Sequence, residues 1–384
     1  MTSENQIIKS VFCGIALFLV PLATQSSCTR QRTNAIGSGV WRFAIEESVG
    51  SVQHEYATQF EQLIENATDG EIDVVVYPYG ALGTSTQITE QLNLGIVQFA
   101  MASPGSLGKF IPEMQAFLLH FVLPTTEEEI RELFNNSEML EEIDTLYEAK
   151  GLKLLSMYSE GPMAWTLKQE VRVPADFRGI KMRVMTSPLL IAAYSAYSAS
   201  PTPMPYSEVY SGLQLNMIDA QVNPLFAIER QKFHEVTSWL VLPGHTSFVT
   251  SCAANRDFFL SLPDKHQQIV VQAIEQLDQK IFTLQQNLHW DSLKTIISDK
   301  QIKKSVLHLS GDLSGFRNHL SPDEARKLLD DNKYLVLHPA LSNDEIQQFR
   351  DASIRARNVF IEIGGHRGNA LLESLESAVL NEEH

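Results

Sequence analysis

The stretch GIKMRVMTSPLLIAAYSAYSASPTPMPYSEVYSGLQLNMIDAQVNP, residues 179–224, is the part of this chain that decides its fold. It places a single arginine, Arg183, inside an apolar run with the pattern of a strand, and Asn223 and Pro224 close a later apolar run. A buried guanidinium is costly to desolvate without an anion, and its planar fork fits a carboxylate. Arg183 is therefore predicted to meet either a bound anion or a structural salt-bridge partner.

Composition limits the classes of function. The 384 residues are 44% hydrophobic, which is enough for a sizeable core and two lobes. A net charge of −16 argues against the basic surface of a nucleic-acid-binding protein. The chain has no G-x-S-x-G motif, no metal-binding cysteine pair and no complete phosphate or dinucleotide loop. We predict no cofactor, no metal and no catalytic residues, although 46 acidic residues leave a catalytic carboxylate pair open.

The N-terminus has the pattern of an export signal. Lys9 precedes an apolar run from Val11 to Ala23, which suits a signal peptide and is short for a membrane span. We predict a signal peptide at 1–28, a tether at 29–40 and a periplasmic mature chain. Lipid attachment at Cys28 is an open alternative. The preceding Gln25-Ser26-Ser27 fits it poorly, because bacterial lipoprotein signals usually carry an aliphatic residue three positions before the cysteine.

Strands and helices alternate along the chain. Helical spacing of apolar residues at 51–69 lies between runs typical of strands, and three strands are predicted in this region: Trp41–Ile45, Ile72–Tyr77 and Val97–Ala102. Such alternation indicates an α/β fold with a largely parallel sheet. The periodic segment from Pro263 to about Lys300 predicts one helix long enough to brace two lobes.

The motifs occur in a specific order. KMRV around Arg183 is followed by PTPMPYSEVY, LQLNMIDAQ and Asn223-Pro224, and YPYGALG at 77–83 and FAMASPG at 99–105 lie upstream. This series resembles the solute-binding proteins of tripartite ATP-independent periplasmic (TRAP) transporters, from Trp41 to the C-terminal helix. The resemblance implies a two-lobe, periplasmic-binding-protein-like α/β fold with interwoven lobes. Lobe I would comprise 41–160 and 249–288, and lobe II 161–248 and 289–384.

The same resemblance implies a function and a set of binding residues. The chain would capture a small organic carboxylate in a cleft between the lobes and deliver it to TRAP permease membrane subunits. Arg183 matches the family's carboxylate-binding arginine, and Asn223 matches the residue that supports it. Further candidate contacts are Glu46, Ser103, Trp165, Tyr206, Phe226 and His245. A Glu46 that faces the cleft would favour a ligand with a cationic or hydroxyl group besides its carboxylate.

Structural alternatives stand beside several of these residues. Trp165 and His245 also have the character of core residues, and Glu46 that of a solvated strand end. Ser198, Ala220 and Pro162 depart from the commoner family pattern, which affects the pocket's shape. The ligand is therefore left open among a dicarboxylate, a keto or hydroxy acid, an aromatic acid and a zwitterionic osmolyte. Two other functions are also open: an exported enzyme acting on small organic acids, and a sensory ligand-binding protein.

Export is directly testable. Mature protein isolated from the native host should lack roughly the first two dozen residues, because a signal of this kind is cleaved after translocation. N-terminal sequencing measures this, and an intact Met1 on periplasmic protein would contradict it. Metabolic labelling with palmitate decides whether Cys28 carries a lipid.

Overall fold

The computed structural model describes residues 39–299 and 306–382, so the predicted signal peptide lies outside the described residues. The strands are β1 Gly39–Ala44, β2 Ile72–Tyr77, β3 Phe99–Ala102, β4 Leu152–Leu167, β5 Lys181–Val184, β6 Ser200–Pro203, β7 Ala220–Pro224, β8 Trp239–Val241, β9 Ser247–Asn255, β10 Leu307–Ser310 and β11 Leu335–His338. The helices are α1 Val52–Ala67, α2 Ser85–Asn93, α3 Pro104–Leu107, α4 Glu127–Asn135, α5 Ser137–Glu148, α6 Pro188–Ala196, α7 Val209–Gln214, α8 Leu225–Arg230, α9 Arg256–Ser261, α10 Asp264–Ser298, α11 Ser314–His319, α12 Pro322–Ala325 and α13 Asn343–Glu382. Short 3₁₀ turns and one π-helical turn connect them. A search of the described helices finds none with the length and apolarity of a membrane span.

Strand β4 organises the sheet. Its first part pairs antiparallel with β9, and from Met163 onward it pairs with β7 and, from Trp165, with β8. One half of the sheet therefore holds β1, β2, β3 and β9, with β1 parallel to β2 and β3. The other half holds β5 to β8, β10 and β11, with β5 parallel to β6 and β7. This mixed, largely parallel α/β architecture confirms the predicted fold class.

Local sequence signals explain the first half. Ser51 caps α1 by accepting from the His54 amide, and Thr84 and Gln87 form a capping box at the start of α2. Apolar residues at helical spacing bury one face of α1, among them Tyr56, Phe60 and Ile64. These helices connect parallel strands, which need such crossovers.

Two long helices connect the halves of the sheet. The 35 residues of α10 rise about 52 Å and pack against α1 and β4 on one side and α8 on the other. This confirms the predicted bracing helix. The C-terminal α13 bends at Gly365, where φ is 60°, and packs against α6 and the 3₁₀ turn Pro112–Leu118. The exact lobe boundaries at 160/161 and 248/249 stay a prediction.

Sequence analysis underestimated the strands. The sequence predicts a strand only at Leu152–Met157 in this region, whereas β4 continues to Leu167 through a bulge between Ser159 and Gly161. It also did not anticipate β8, β10 and β11, which have only 3 or 4 residues each. Runs this short carry too little periodicity to be distinguished from loops.

Gly161 provides a test of the β4 crossing. Its φ of 114° favours glycine, and a Cβ there would lie 2.6 Å from Gln285 Nε2 of α10. Gly161→Ala should lower the free energy of unfolding by about 1–3 kcal/mol. Gly179→Ala, which has φ 83° and no atom within 4 Å of the added carbon, is the matched control and should cost less. Equal urea midpoints for the two variants would contradict a tight fit between β4 and α10.

Candidate functional site

The candidate site begins where parallel strands of the first half end. Glu46 and Glu47 follow β1, Tyr79 follows β2 and Ser106 follows β3. Because parallel strands deliver their carboxyl ends to one sheet edge, these residues lie together. The Tyr79 amide donates to the Glu47 carbonyl at 3.0 Å, which ties the first two loops.

The second half of the sheet supplies the remaining wall by the same principle. Arg183 lies in β5, Tyr206 follows β6 and Asn223 lies in β7. Residues from both halves enclose a cavity of about 110 Å³. Its lining comprises Glu46, Glu47, Tyr79, Thr84, Ser85, Thr86, Gly105, Ser106, Arg183, Met185, Thr186, Met204, Pro205, Tyr206, Asn223 and Phe248.

Arg183 is a buried cation without an ion pair. Its side chain is only 3% exposed, and its Nε donates to the Met204 carbonyl at 3.0 Å. Among residues 39–299 and 306–382, no carboxylate lies within salt-bridge distance of it. Burial lowers the pKa of Arg183 to about 10, which leaves the guanidinium charged at neutral pH. The arrangement therefore favours the bound-anion alternative over the structural salt bridge.

Asn223 is held by neighbours on the sheet. Its Nδ2 donates to Gln221 Oε1, and Gln221 Nε2 in turn donates to Thr166 Oγ1 of β4 at 2.9 Å. All three side chains are buried. This chain fixes the amide of Asn223 beside Arg183 on the cavity wall, where it would help to orient a carboxylate.

Glu46 lies in the loop after β1 and is held there by hydrogen bonds. Its amide donates to Gln53 Oε1 at 2.7 Å, and its Oε2 accepts from the Ser103 amide at 2.9 Å. Ser103 itself does not line the cavity, so it acts on the site through Glu46. Burial raises the pKa of Glu46 more than the Ser103 and Ser106 contacts lower it.

Glu47 is the residue that the sequence analysis missed. It is 5% exposed, lines the cavity, and lies close enough to Arg183 and Tyr206 for both to act on its ionisation. Burial and the charge of Glu46 raise its pKa to about 8. The available signal was the pair of adjacent acids that follows β1. Beyond the end of a regular strand the side chains no longer alternate strictly, so both can face the same edge of the sheet.

Three predicted contacts lie elsewhere in this conformation. Trp165 is fully buried, donates from Nε1 to the Tyr194 hydroxyl at 3.0 Å, and packs with its ring centroid 5.1 Å from that of Phe177. Phe226, in α8, is 1% exposed and lies in the core. His245 lines a separate, smaller cavity, and burial keeps its pKa well below the usual value. Their contact with a ligand stays a prediction that this geometry does not support.

The remaining walls are apolar or aromatic. Met185, Met204 and Phe248 line the cavity, and the rings of Tyr79 and Tyr206 meet edge to face with centroids 5.5 Å apart. The cavity thus combines a buried cation from one half of the sheet with two buried carboxyl groups from the other. Such an arrangement can hold a small solute that carries both a carboxylate and a cation.

Comparisons with known proteins identify the family of this chain. The family model for bacterial extracellular solute-binding proteins, family 7, matches residues 43–322. The ectoine/5-hydroxyectoine-binding periplasmic protein UehA of Ruegeria pomeroyi is 34% identical over 89% of this chain and 91% of its own length. The ectoine-binding periplasmic protein TeaA of Halomonas elongata is also 34% identical, over 90% of this chain and 91% of its own length.

Solved structures show the same fold. The TeaA structure superposes with a TM-score of 0.76 at 32% identity, covering 89% of this chain and all of TeaA. A TRAP periplasmic solute-binding protein from Marinobacter aquaeolei, in an apo open form, gives a TM-score of 0.73 at 37% identity and covers 88% of this chain and all of that one. The chain belongs to the family 7 bacterial extracellular solute-binding proteins, the ligand-binding components of TRAP transporters.

Proposed function

We propose that this protein binds a small zwitterion of the ectoine class in the cavity between the halves of its sheet. The observation that carries the proposal is that one cavity is lined by Arg183, which is buried without a salt bridge among the described residues, and by the buried Glu46 and Glu47. Ectoine carries one carboxylate and one delocalised amidinium, so each end has an oppositely charged partner. The relatives named for ectoine binding support this choice of class.

Charge separates this ligand class from the alternatives. A dicarboxylate would place a second anion beside Glu46 and Glu47, so Glu47 would have to stay protonated and like charges would repel above about pH 8. A keto acid would pair with Arg183 but offer the two carboxyl groups no donor, and a hydroxy acid would offer only a neutral hydroxyl. A zwitterion satisfies both ends, and its ring would pack against Met185, Met204 and Phe248.

The role in transport follows from the family. Relatives are periplasmic solute-binding proteins that work with TRAP membrane components, and this chain has their ligand-binding role. Our proposal extends this to a mature periplasmic chain without catalytic activity, which delivers its ligand to a TRAP permease. The lobes, with boundaries near residues 160 and 248, would close over the bound solute.

Substitution of Arg183 tests the carboxylate anchor. Arg183→Lys loses the planar fork and Arg183→Met loses the charge, so ectoine affinity should fall roughly 10- to 150-fold, corresponding to about 1.5–3 kcal/mol for charged hydrogen bonds. Isothermal titration calorimetry measures the affinity. Both ligand-free variants should unfold near the wild-type temperature, because no salt bridge within the described residues is broken.

Arg172 is the matched control for that experiment. It forms a bidentate pair with Glu345, with both nitrogen–oxygen distances 2.7 Å, and neither residue lines the cavity. Arg172→Lys should lose stability and keep wild-type ectoine affinity. The account of the anchor fails if Arg183→Met binds ectoine as tightly as the wild type does.

Substitution of Glu47 tests the cationic end. At about pH 8.5, Glu47→Gln should weaken ectoine binding at least tenfold, because an amide cannot supply the charge that the amidinium meets. Glu90→Gln, at an exposed position of α2, is the control and should bind normally. Unchanged affinity in Glu47→Gln would remove the zwitterion from the proposal while leaving Arg183 as a carboxylate site.

A further inference from the structure

A third buried carboxyl group lies behind the two that line the cavity. Glu160 of β4 is 1% exposed and is not among the cavity-lining residues. Gln53 connects it to the site: Gln53 Nε2 donates to Glu160 Oε1 at 2.7 Å, while Gln53 Oε1 accepts from the Glu46 amide at 2.7 Å. We call Glu46, Glu47 and Glu160 the carboxylate cluster.

The carboxylate cluster is not neutralised by its surroundings. Within the described residues, one oxygen of each member, Glu46 Oε1, Glu47 Oε2 and Glu160 Oε2, is buried without a hydrogen-bond partner. The charged group that acts on it is Arg183, and the titratable groups that interact with its members from neighbouring elements are hydroxyls: Tyr147, Tyr158 and Tyr206. If all three carboxyl groups were ionised, one guanidinium would face three anions.

Protons resolve this imbalance in the ligand-free protein. Burial raises the pKa of all three members. The charge of Glu46 raises the pKa of Glu47 further, and the charges of Glu47 and Glu46 raise that of Glu160 further. The pKa of Glu47 rises to about 8, and that of Glu160 rises well above its usual range. At neutral pH, Glu47 therefore holds a proton, and the burial of Glu160 beside it favours the neutral acid at that position as well.

We propose that solute binding is a proton exchange, in which the cation of the zwitterion replaces a proton on Glu47 while Glu160 keeps its own. The O–H bond of the Glu47 carboxyl group breaks, the proton passes to solvent, and the carboxylate then accepts hydrogen bonds from the cation. This inference rests on the proposed function, because it requires a cationic ligand group in the cavity.

Position assigns the two roles. Glu47 lines the cavity and can meet the cation, whereas Glu160 lies behind it and cannot. A neutral Glu160 spares the newly ionised Glu47 a second adjacent anion. Glu160 is thus a positioning residue: because it stays neutral, ionisation of Glu47 prepares the site for one cation rather than two.

The exchange makes affinity depend on pH in one direction. Below about pH 8 the proton competes with the cation for Glu47, so ectoine affinity should fall by about tenfold per pH unit. Above that pH, Glu47 is ionised in the free protein and affinity should be constant. An amidinium remains protonated throughout this range, so the ligand itself does not titrate.

Calorimetry with ectoine tests the exchange. Binding is measured at about pH 6.5 and about pH 9 in pairs of buffers that differ in ionisation enthalpy, which yields the number of protons released. The wild type should release close to one proton at the lower pH and almost none at the higher. Glu160→Gln, which has the shape and charge of the protonated acid, should behave like the wild type, as should the surface control Glu90→Gln. Glu47→Gln should release none.

A second measurement needs no ligand. A carboxyl group with a raised pKa in the folded state binds more protons there than in the unfolded chain, so stability falls as pH rises between about 4.5 and about 8. Urea unfolding should show this fall in the ligand-free wild type. The slope should be smaller in Glu47→Gln, which has no such proton to lose.

The outcomes separate the two proposals. Ectoine binding without proton release at about pH 6.5 overturns the exchange and leaves the proposed function in place. If Glu160→Gln binds ectoine without releasing a proton, the assignment of the released proton to Glu47 is wrong. No ectoine binding at either pH defeats the proposed function and the exchange with it, whatever the ligand-free slope shows.

Discussion

The central feature of this molecule is a buried guanidinium, that of Arg183, without a salt bridge among the described residues. Arg183 lies in the sheet with 3% exposure and forms no salt bridge among the described residues, although an isolated buried cation is costly. Glu46 and Glu47 of the other half of the sheet face the same cavity, and a bound carboxylate would supply the anion that Arg183 lacks. The unpaired charge thus lowers the stability of the ligand-free protein, and the site is complete only when a solute supplies the missing charges.

The fold makes this opposition possible. Parallel strands in each half of the sheet send their carboxyl ends toward one cavity, and β4 runs through both halves. The helix α10 packs against elements of both halves, which limits the ways in which they can move. A solute that pairs with Arg183 and Glu47 at once would connect the halves by its own charges, as a closing binding protein requires.

Much of this was readable from sequence, for physical reasons. The helical period identified α1 and α10, because long amphipathic helices carry a strong signal. Arg183 stood out because a lone charge in an apolar strand needs an explanation. Glu47 did not stand out, because two neighbouring acids at the end of a strand are common. Trp165 was a candidate ligand contact with a core position as the alternative, and its packing against Phe177 and Phe349 favours the core position.

A crystal structure of the mature protein with ectoine tests the central claim most directly. The account predicts the ligand carboxylate within about 3 Å of the Arg183 guanidinium nitrogens and the amidinium nitrogens within about 3 Å of the Glu47 carboxylate. A ligand bound in the reverse orientation, or in a different cavity, would contradict the pairing of charges from which the proposed function was derived.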